Sequence, residues 1–375
     1  MRVLIDATIV RPVPGGIAMY TRELAVELAR RDDVEVTVVT SCPEQFAGFA
    51  GALVGVSARV RGFGGRMLWR ERSLPRLLRQ VGADVLLAPA PEIPLLHRLP
   101  VPALVVVHDL GAWRHPKLYG RAKWARFRLL LGPMLSRASS IACVSAATQS
   151  DLRAVLPGQG SRATVVREGV GQAGAPAPSP ATPAYVLYVG PLARHKNVET
   201  LIRAFADPSL ANVHLKLAGS LDDANAGAFR DALARLPEGG RMEHLGPVSA
   251  AELAELYAGA AVVALPSLHE GFGLPLLEAM VAGVPVVASS IPAHREVAAG
   301  SALLVGDPRD PADWARAIAC CLEDQVQTRA RTAAGLKRAE IYTWPAAAGD
   351  VHELLSALVG RLDDSNLPPR EAELC

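Results

Sequence analysis

The stretch from Ala261 to Ser290 constrains the fold of this chain more than any other. It reads AVVALPSLHEGFGLPLLEAMVAGVPVVASS. An apolar run, Ala261–Leu265, is followed by a short loop, a helical segment over about Leu274–Ala282 and a second apolar run. Pro275 suits the first turn of that helix, and Gly283 suits the position just past its end. The pattern therefore predicts strand, tight loop, helix and strand, which is one βαβ unit.

The loop of this unit carries the candidate chemistry. Gly271 and Gly273 flank Phe272 where the strand passes to the helix, and glycines there let the backbone approach a ligand closely. The free N–H groups at the start of the helix favour an anion, typically a phosphate. Glu270 precedes the helix and Glu278 lies about one turn inside it, so we expect the two carboxylates to face different parts of one ligand. On spacing alone, an ordinary strand-to-helix turn with two surface glutamates is the alternative.

The segment HEGFGLPLLEAMVAGVPVVAS closely resembles the signature of glycosyltransferase family 4, whose members are retaining enzymes of the GT-B fold. In that family two glutamates separated by seven residues mark the donor site. The resemblance implies that Glu270 lies near the transferred sugar and that Glu278 holds the ribose hydroxyls of the nucleotide. It also implies that the backbone of Gly271–Leu274 lies against the diphosphate and the sugar.

Composition limits the alternatives. A chain of 375 residues suggests two domains, and 50% hydrophobic with 20% charged residues is typical of a globular protein. No apolar run is long enough to span a bilayer, and the N-terminus reads as a strand rather than a signal peptide, so we expect a cytoplasmic protein. The five cysteines form no C-x-x-C pair and no ligand spacing with histidine, which favours neither a zinc site nor a disulfide framework.

Charge is divided unevenly along the chain. Residues 1–170 carry 23 Lys+Arg against 13 Asp+Glu, whereas residues 171–375 carry 16 against 24. This asymmetry supports a split into two domains and suggests an anionic partner for the first half.

The opening of the chain reads as a Rossmann-like βαβ unit. Its loop contains Gly15 and Gly16, which are candidates for binding a phosphate or an acceptor; the alternative is a turn that only connects strand to helix. Family 4 commonly has Gly-Gly followed by Tyr-Thr here, and the chain keeps Tyr20 and Thr21. We include both glycines among the predicted donor-binding residues.

A histidine, His108, follows the apolar run Val101–Val107. The C-terminal end of a strand in an open α/β sheet is where ligands bind, although a lone histidine is more often structural. In family 4 a histidine at this position faces the transferred sugar, so the resemblance makes His108 a candidate catalytic residue. Asp109 either orients it or contacts the acceptor. Glu168 occupies a position where the family usually has asparagine, and the residues alone leave its role open.

Two basic segments, Arg59–Arg79 and Trp113–Arg137, each contain seven Lys or Arg among apolar and aromatic residues. This mixture suits helices that lie on an anionic membrane surface, which predicts peripheral contact with the inner face of a membrane. Two solvated helix faces of a Rossmann-like domain are the alternative. No nucleic-acid-binding module is recognisable, so nucleic acid is not an expected partner.

A Pro/Ala/Gly-rich segment, residues 171–184, predicts a linker. It separates a first domain of residues 1–170 from a second domain of residues 185–344. The resemblance implies a last helix that crosses back, so that about 345–375 join the first domain.

A basic pair, Arg194 and Lys196, precedes a predicted helix of the second domain. Two cations there neutralise a diphosphate without a metal, and plain surface charge is the alternative. Family 4 carries a basic pair here, and the resemblance implies Lys196 as one member. Because Pro191 occupies one place where the family can carry the arginine, Arg194 is the candidate for the other member, with His195 as the alternative. By the same resemblance, the loop Gly246–Val248 lies beside the nucleotide base.

The resemblance as a whole implies an α/β protein of the GT-B fold, with two Rossmann-like domains facing each other across a cleft. The second domain holds the donor and the first receives the acceptor. We expect a retaining hexosyltransferase that uses a nucleotide sugar, with GDP-mannose favoured, and a saccharide, lipid-linked or small aglycone acceptor, without cofactor or metal. A UDP-sugar-dependent transferase is the alternative; a GT-B UDP-sugar epimerase and a non-catalytic sugar-nucleotide-binding protein are weaker ones. A dinucleotide-dependent oxidoreductase fits poorly, because G-x-G-x-x-G does not follow the first strand.

Overall fold

The computed structural model describes residues 1–12, 15–171, 181–221 and 241–365, together with positions 227, 229 and 231. Most of the predicted linker, residues 172–180, and the end of the chain, residues 366–375, lie outside the described residues.

The first sheet is parallel throughout and has the strand order β3-β2-β1-β4-β5-β6-β7. In it Val3 lies opposite Val36 on one side and Val85 on the other. Its strands are β1 (Arg2–Asp6), β2 (Glu35–Thr40), β3 (Ala52–Gly55), β4 (Val85–Ala88), β5 (Ala103–Val107), β6 (Ser140–Cys143) and β7 (Ala163–Val165).

The second sheet is also parallel and has the order β10-β9-β8-β11-β12-β13. The predicted central unit lies in its middle, where Val263 of β11 pairs with Val286 of β12. Its strands are β8 (Tyr185–Val189), β9 (His214–Ala218), β10 (Met242–Gly246), β11 (Val262–Leu265), β12 (Val286–Ser289) and β13 (Leu303–Val305).

Helices connect the strands and cover the sheets. They are α1 (Gly16–Ala29), α2 (Phe63–Arg72), α3 (Leu74–Gln80), α4 (Gly111–Arg114), α5 (Pro116–Tyr119), α6 (Arg121–Arg137), α7 (Ala146–Val155), α8 (Pro157–Ser161), α9 (Val198–Ala204), α10 (Ala250–Gly259), α11 (Leu274–Val281), α12 (Pro292–Ala298), α13 (Pro311–Glu323), α14 (Gln325–Ala339) and α15 (Trp344–Ser365). Every residue of β5 and β11 is buried, as expected for parallel strands covered on both faces. Among the described residues, no helix has both the length and the apolar character that crossing a bilayer requires.

The last helix, α15, returns to the first domain, as predicted. It packs on α1, and a parallel bridge joins Val170 to Thr343 just before it begins. The ring of Trp344 lies edge-on to that of Tyr20, with centroids 6.0 Å apart. The two Rossmann-like domains are therefore joined at a second place besides the linker.

Two arginines of the basic segment Arg59–Arg79 are buried, because Arg66 is 3% exposed and Arg70 is 1% exposed. Arg70 Nε donates to Asp6 Oδ2 (2.5 Å), and its guanidinium also pairs with the carboxylate of Glu92. Arg66 donates to both oxygens of Glu92 (2.9 and 3.0 Å). The prediction that this segment faces a membrane or water is thus wrong for these two arginines, which neutralise buried carboxylates instead.

Removing one member of this buried network is expected to destabilise the first domain. Arg70→Ala leaves Asp6 and Glu92 buried without a shared cation, which costs about 3–5 kcal/mol of unfolding free energy. Arg72→Ala on the same helix is the matched control, because Arg72 is exposed, and we expect about 0.5 kcal/mol or less. Urea denaturation followed by circular dichroism measures both. Equal losses in the two variants contradict the assignment.

Candidate active site

The loop between β11 and α11 presents unpaired backbone N–H groups at the start of a helix. Gly273 has a φ of 104° and forms the N-terminal cap of α11, a conformation that favours glycine. Within the described residues, the N–H groups of Gly271, Phe272 and Gly273 have no hydrogen-bond acceptor. Together with the helix dipole they form a site suited to an anion.

The carboxylate of Glu270 lies beside this loop and is paired with a cation. Its Oε1 accepts hydrogen bonds from Lys196 Nζ (2.6 Å) and from Ser267 Oγ (2.6 Å). Burial alone raises the pKa of Glu270, but the Lys196 ammonium and the neighbouring His294 lower it to about 2. Glu270 is therefore ionised at neutral pH, and the structure brings the predicted residues Glu270 and Lys196 together.

The two other candidates for the basic pair differ sharply in their surroundings. Arg194 is exposed, and among the described residues its side chain has no partner. His195 stacks on Tyr119 of the first domain, with centroids 4.6 Å apart. Burial and then the adjacent Lys196 lower the pKa of His195 to about 4, so the ring is neutral at neutral pH. Lys196 is thus the cation next to Glu270, whereas the role of Arg194 at a diphosphate stays a prediction.

Glu278 lies in an environment opposite to that of Glu270. Its Oε2 accepts a hydrogen bond from Tyr257 Oη (2.8 Å), and burial raises the pKa of its carboxyl. Its other oxygen accepts nothing from the described residues, which leaves an acceptor for a ligand hydroxyl. Sequence reasoning missed Tyr257, because it lies on α10 within no recognisable motif.

Both ring nitrogens of His108 contact protein atoms. Nδ1 lies 2.9 Å from Glu168 Oε1, and Nε2 lies 2.9 Å from the carbonyl oxygen of Pro89. The ring of Tyr20 packs edge-on against the imidazole, with centroids 4.7 Å apart. Glu168, which stands where the family usually has asparagine, therefore orients the imidazole. A direct role of that imidazole at the sugar stays a prediction.

The backbone of His108, by contrast, lies against the loop of the second domain. A Cβ added to Gly271 would lie 1.6 Å from the His108 carbonyl oxygen, so only glycine fits at this contact. The carbonyl of Gly271 accepts hydrogen bonds from Ser145 Oγ and from Thr148 Oγ1 (3.0 Å). Beside it, Glu296 of α12 accepts from the first two N–H groups of α7 (2.9 and 2.8 Å). We call these contacts the interdomain clasp.

The first domain contains a pocket of about 360 Å³ next to this clasp. Gly15 and Gly16 form part of its wall together with Asp109. A Cβ on Gly16 would lie 3.9 Å from Leu274 Cδ1, so the glycine turn also borders the loop of the second domain. Binding of the donor by these two glycines stays a prediction.

Helix α6, within the basic segment Trp113–Arg137, forms much of this pocket. Its lining side chains are Lys123, Arg126, Phe127, Leu130, Leu131 and Met134. These side chains line the cavity of their own domain, and contact of this segment with a membrane stays a prediction.

In the predicted base-binding loop, Gly246 has a φ of 70° and its carbonyl accepts a hydrogen bond from the N–H of Gly219 (2.8 Å). Val248 of the same loop is partly buried. Contact of Gly246 and Val248 with a nucleotide base stays a prediction. His294 was missed because no spacing marks it. It is buried, its Nδ1 donates to the carbonyl of Ser289 (3.1 Å), and its ring lies 3.1 Å from a Cβ placed on Gly273.

Two family models match the chain and together cover most of it. The model described as Glycosyltransferase Family 4 matches residues 14–171, and the one described as Glycosyl transferases group 1 matches residues 175–338. The chain belongs to glycosyltransferase family 4. This finding confirms the resemblance drawn from HEGFGLPLLEAMVAGVPVVAS.

Individual relatives point the same way. O-antigen chain mannosyltransferase B of Escherichia coli is 37% identical over 43% of this chain and 42% of its own length. D-inositol 3-phosphate glycosyltransferase of Corynebacterium efficiens is 32% identical over 49% of this chain and 45% of its own length. The enzyme of the same name from Kineococcus radiotolerans is 28% identical over 89% of this chain and 88% of its own length. The chain thus spans less than half the length of the first two relatives and most of the third.

Solved structures confirm the GT-B fold. Sucrose-phosphate synthase from Thermosynechococcus elongatus superposes with a TM-score of 0.79 at 21% identity, over 96% of this chain and 99% of that one. Anabaena HepE in complex with UDP and glucose superposes with a TM-score of 0.75 at 19% identity, over 96% and 100%.

The glycine at the interdomain clasp gives a direct test of the domain arrangement. Gly271→Ala is expected to force the loop away from His108 and to break the hydrogen bonds to the Gly271 carbonyl, at about 2 kcal/mol for two bonds. Small-angle scattering should show a larger radius of gyration, and the thermal midpoint should fall. Gly306→Ala is the control, because a Cβ there meets nothing within 4 Å. A Gly271→Ala variant with the wild-type radius and midpoint contradicts the clasp.

The Lys196–Glu270 pair predicts a specific pH dependence. Because the pKa of Glu270 lies below its ordinary value, its pairing contributes stability above about pH 4.5, and this contribution is lost as the pH falls towards 2. In the Lys196→Met variant the cation is gone, so burial raises the pKa of Glu270. The variant should therefore be less stable than the wild type, by the largest amount near pH 7 and by a smaller amount below about pH 4.5, where Glu270 becomes protonated in the variant. Urea midpoints at pH 7 and pH 4 measure this. Lys337→Met, at an exposed lysine, should show no such trend; a pH-independent loss in Lys196→Met refutes the prediction.

Proposed function

We propose that this protein is a retaining glycosyltransferase that moves a hexose from a nucleotide sugar to an acceptor hydroxyl. The observation that carries the proposal is the pairing of Lys196 with Glu270 beside the free N–H groups of Gly271–Gly273. A cation from the loop after β8 and a carboxylate from the loop after β11 thus lie together beside the start of a helix. Family membership supports the same activity.

In the proposed reaction, the C1–O bond between sugar and diphosphate breaks and a bond from C1 to the acceptor oxygen forms on the same face. Negative charge grows on the leaving diphosphate, where Lys196 and the start of α11 stabilise it more in the transition state than in the ground state. The acceptor proton passes to the leaving phosphate oxygen. Glu270 lies near the transferred sugar, Glu278 binds the ribose hydroxyls, and no metal is required.

For the donor, we favour GDP-mannose. The support is the Gly-Gly-x-x-x-Tyr-Thr and His-Asp-Leu patterns, together with the name of the Escherichia coli relative, a mannosyltransferase. A UDP-sugar such as UDP-glucose or UDP-N-acetylglucosamine is the second candidate. It is suggested by the HepE complexes with UDP and UDP-glucose, whose low identity to this chain carries only the fold.

The acceptor in this proposal is a saccharide, a lipid-linked molecule or a small aglycone that binds in the first domain. The protein then works in the cytoplasm, with peripheral contact to the inner face of the membrane through exposed parts of the two basic segments. Leu68 and Leu129, which lie in those segments, are 52% and 69% exposed. Such apolar side chains among cations suit an anionic lipid surface.

A screen of nucleotide sugars tests the proposal. GDP-, UDP-, dTDP- and ADP-sugars are each added to the protein, and the thermal midpoint, donor hydrolysis and transfer are followed. We expect one of these donors to raise the midpoint and to be consumed. An isomerised sugar from donor alone indicates an epimerase, and binding without turnover indicates a sensor. A screen in which no donor binds overturns the proposal.

Two substitutions separate binding from chemistry. Glu278→Ala should raise the nucleotide Kd by about 10- to 100-fold, because about 1.5–3 kcal/mol of charged hydrogen bonding is lost. Lys196→Ala should mainly lower kcat, by about 10²- to 10³-fold. Titration calorimetry and steady-state kinetics measure the two effects.

Tyr257, whose hydroxyl donates to Glu278, offers the control for the Glu278 substitution. Tyr257→Phe removes only the hydroxyl that orients Glu278, so its Kd should rise less than that of Glu278→Ala. If neither Glu278→Ala nor Lys196→Ala changes binding or turnover, the site lies elsewhere.

A further inference from the structure

The pocket of the first domain holds three cations without an ion-pair partner among the described residues, and Asp109 is the carboxylate of its lining that could offset one of them. Arg11, Lys123 and Arg126 line it, and none of them takes part in an ion pair among the described residues. Arg66 and Glu92 also line the pocket, but they satisfy each other through two hydrogen bonds. The pocket therefore carries a surplus of positive charge.

Aromatic rings hold two of these cations in position. Lys123 Nζ lies 4.6 Å from the centroid of the Tyr119 ring, and the Arg126 guanidinium lies 4.3 Å from that of Phe63. A cation–π contact fixes a cation while its N–H donors stay available. Burial, and then the nearby Arg126 and Arg11, lower the pKa of Lys123, although Asp109 opposes them. An anion in the pocket relieves this repulsion.

The opposite character of the remaining wall restricts the ligand further. Phe127, Leu130, Leu131 and Met134 follow the i, i+3, i+4, i+7 spacing, so they form one apolar stripe along α6. Ile9 and Phe63 extend the apolar surface. A purely polar anion would leave this apolar surface exposed to water. A purely apolar ligand would leave the N–H donors of the cations without a hydrogen-bond acceptor.

We propose that the pocket binds an amphipathic anionic acceptor, in which a phosphate or carboxylate contacts Lys123 and Arg126 and an apolar portion covers the α6 stripe. This inference rests on the proposed function, because the pocket meets the second domain at Gly16, beside Leu274. A volume of about 360 Å³ falls in the range of small-molecule sites. The same chemistry occurs in the head group of a membrane lipid and in a soluble phosphorylated aglycone.

Calorimetric titration of the full chain with octyl phosphate, octyl glucoside and inorganic phosphate tests the inference. Octyl phosphate should bind at least about ten-fold more tightly than either of the others, because only it offers both halves of the ligand. Equal binding of octyl phosphate and octyl glucoside overturns the inference, as does equal binding of octyl phosphate and inorganic phosphate.

Matched substitutions locate the binding. Lys123→Met and Arg126→Gln should each weaken octyl phosphate binding by about ten-fold, whereas Lys117→Met and Arg121→Gln, at exposed positions of the same basic segment, should not. Thermal midpoints establish that each variant is folded. Four variants that all bind like the wild type overturn the assignment.

Nucleotide binding, measured in parallel, separates this inference from the proposed function. If the protein binds its nucleotide but not octyl phosphate, the proposed acceptor class is refuted and the proposed function stands. If the protein binds octyl phosphate but no nucleotide, the proposed transferase function is refuted. Cosedimentation with vesicles that contain a long-chain alkyl phosphate, compared with pure phosphatidylcholine vesicles, distinguishes the sources. Binding that depends on Arg126 in the vesicles supports the lipid source, and binding only to the monomeric amphiphile supports the soluble one.

Discussion

The contact between the Gly271 carbonyl and the hydroxyls of Ser145 and Thr148 is the interaction on which the arrangement of this molecule depends. It joins the C-terminal ends of the two parallel sheets, which is where open α/β sheets bind ligands. Because Gly271 has no side chain, its loop lies directly against the His108 carbonyl. The loop that carries Glu270 and the start of α11 is therefore held opposite the pocket of the first domain.

The two glutamates of the motif show how environment divides one residue type into two roles. Both are largely removed from water, which raises the pKa of a carboxyl. Beside Glu270 the ammonium of Lys196 outweighs this effect and keeps the group ionised. Within the part of the chain that the structure describes, Glu278 has the neutral hydroxyl of Tyr257 as its side-chain partner, so burial prevails and its pKa is raised. One carboxylate therefore pairs with a cation at the anion site, whereas the other accepts a hydrogen bond from a tyrosine and keeps a second oxygen for a ligand hydroxyl.

The positive charge of the first half is used in three different ways. Arg66 and Arg70 neutralise buried carboxylates, exposed arginines such as Arg72 contact water, and Lys123 and Arg126 lie in the pocket against aromatic rings. A count of basic residues does not distinguish these uses, because each depends on which carboxylate or ring the fold brings near. This is why the prediction of membrane contact is wrong for the buried Arg66 and Arg70.

The sequence alone determined the βαβ unit around Gly271 and Gly273, because apolar periodicity and the glycine positions are local properties of the chain. The family and the GT-B architecture followed from the resemblance of HEGFGLPLLEAMVAGVPVVAS to glycosyltransferase family 4. It also indicated Glu270, Glu278 and Lys196 as one group. Only the tertiary structure decided that Lys196 rather than Arg194 pairs with Glu270, that Glu168 orients His108, and that Tyr257 and His294 border the site. These contacts join residues that are distant in the chain, and hydrogen bonds and charges act over a few ångströms of space whatever the separation in sequence.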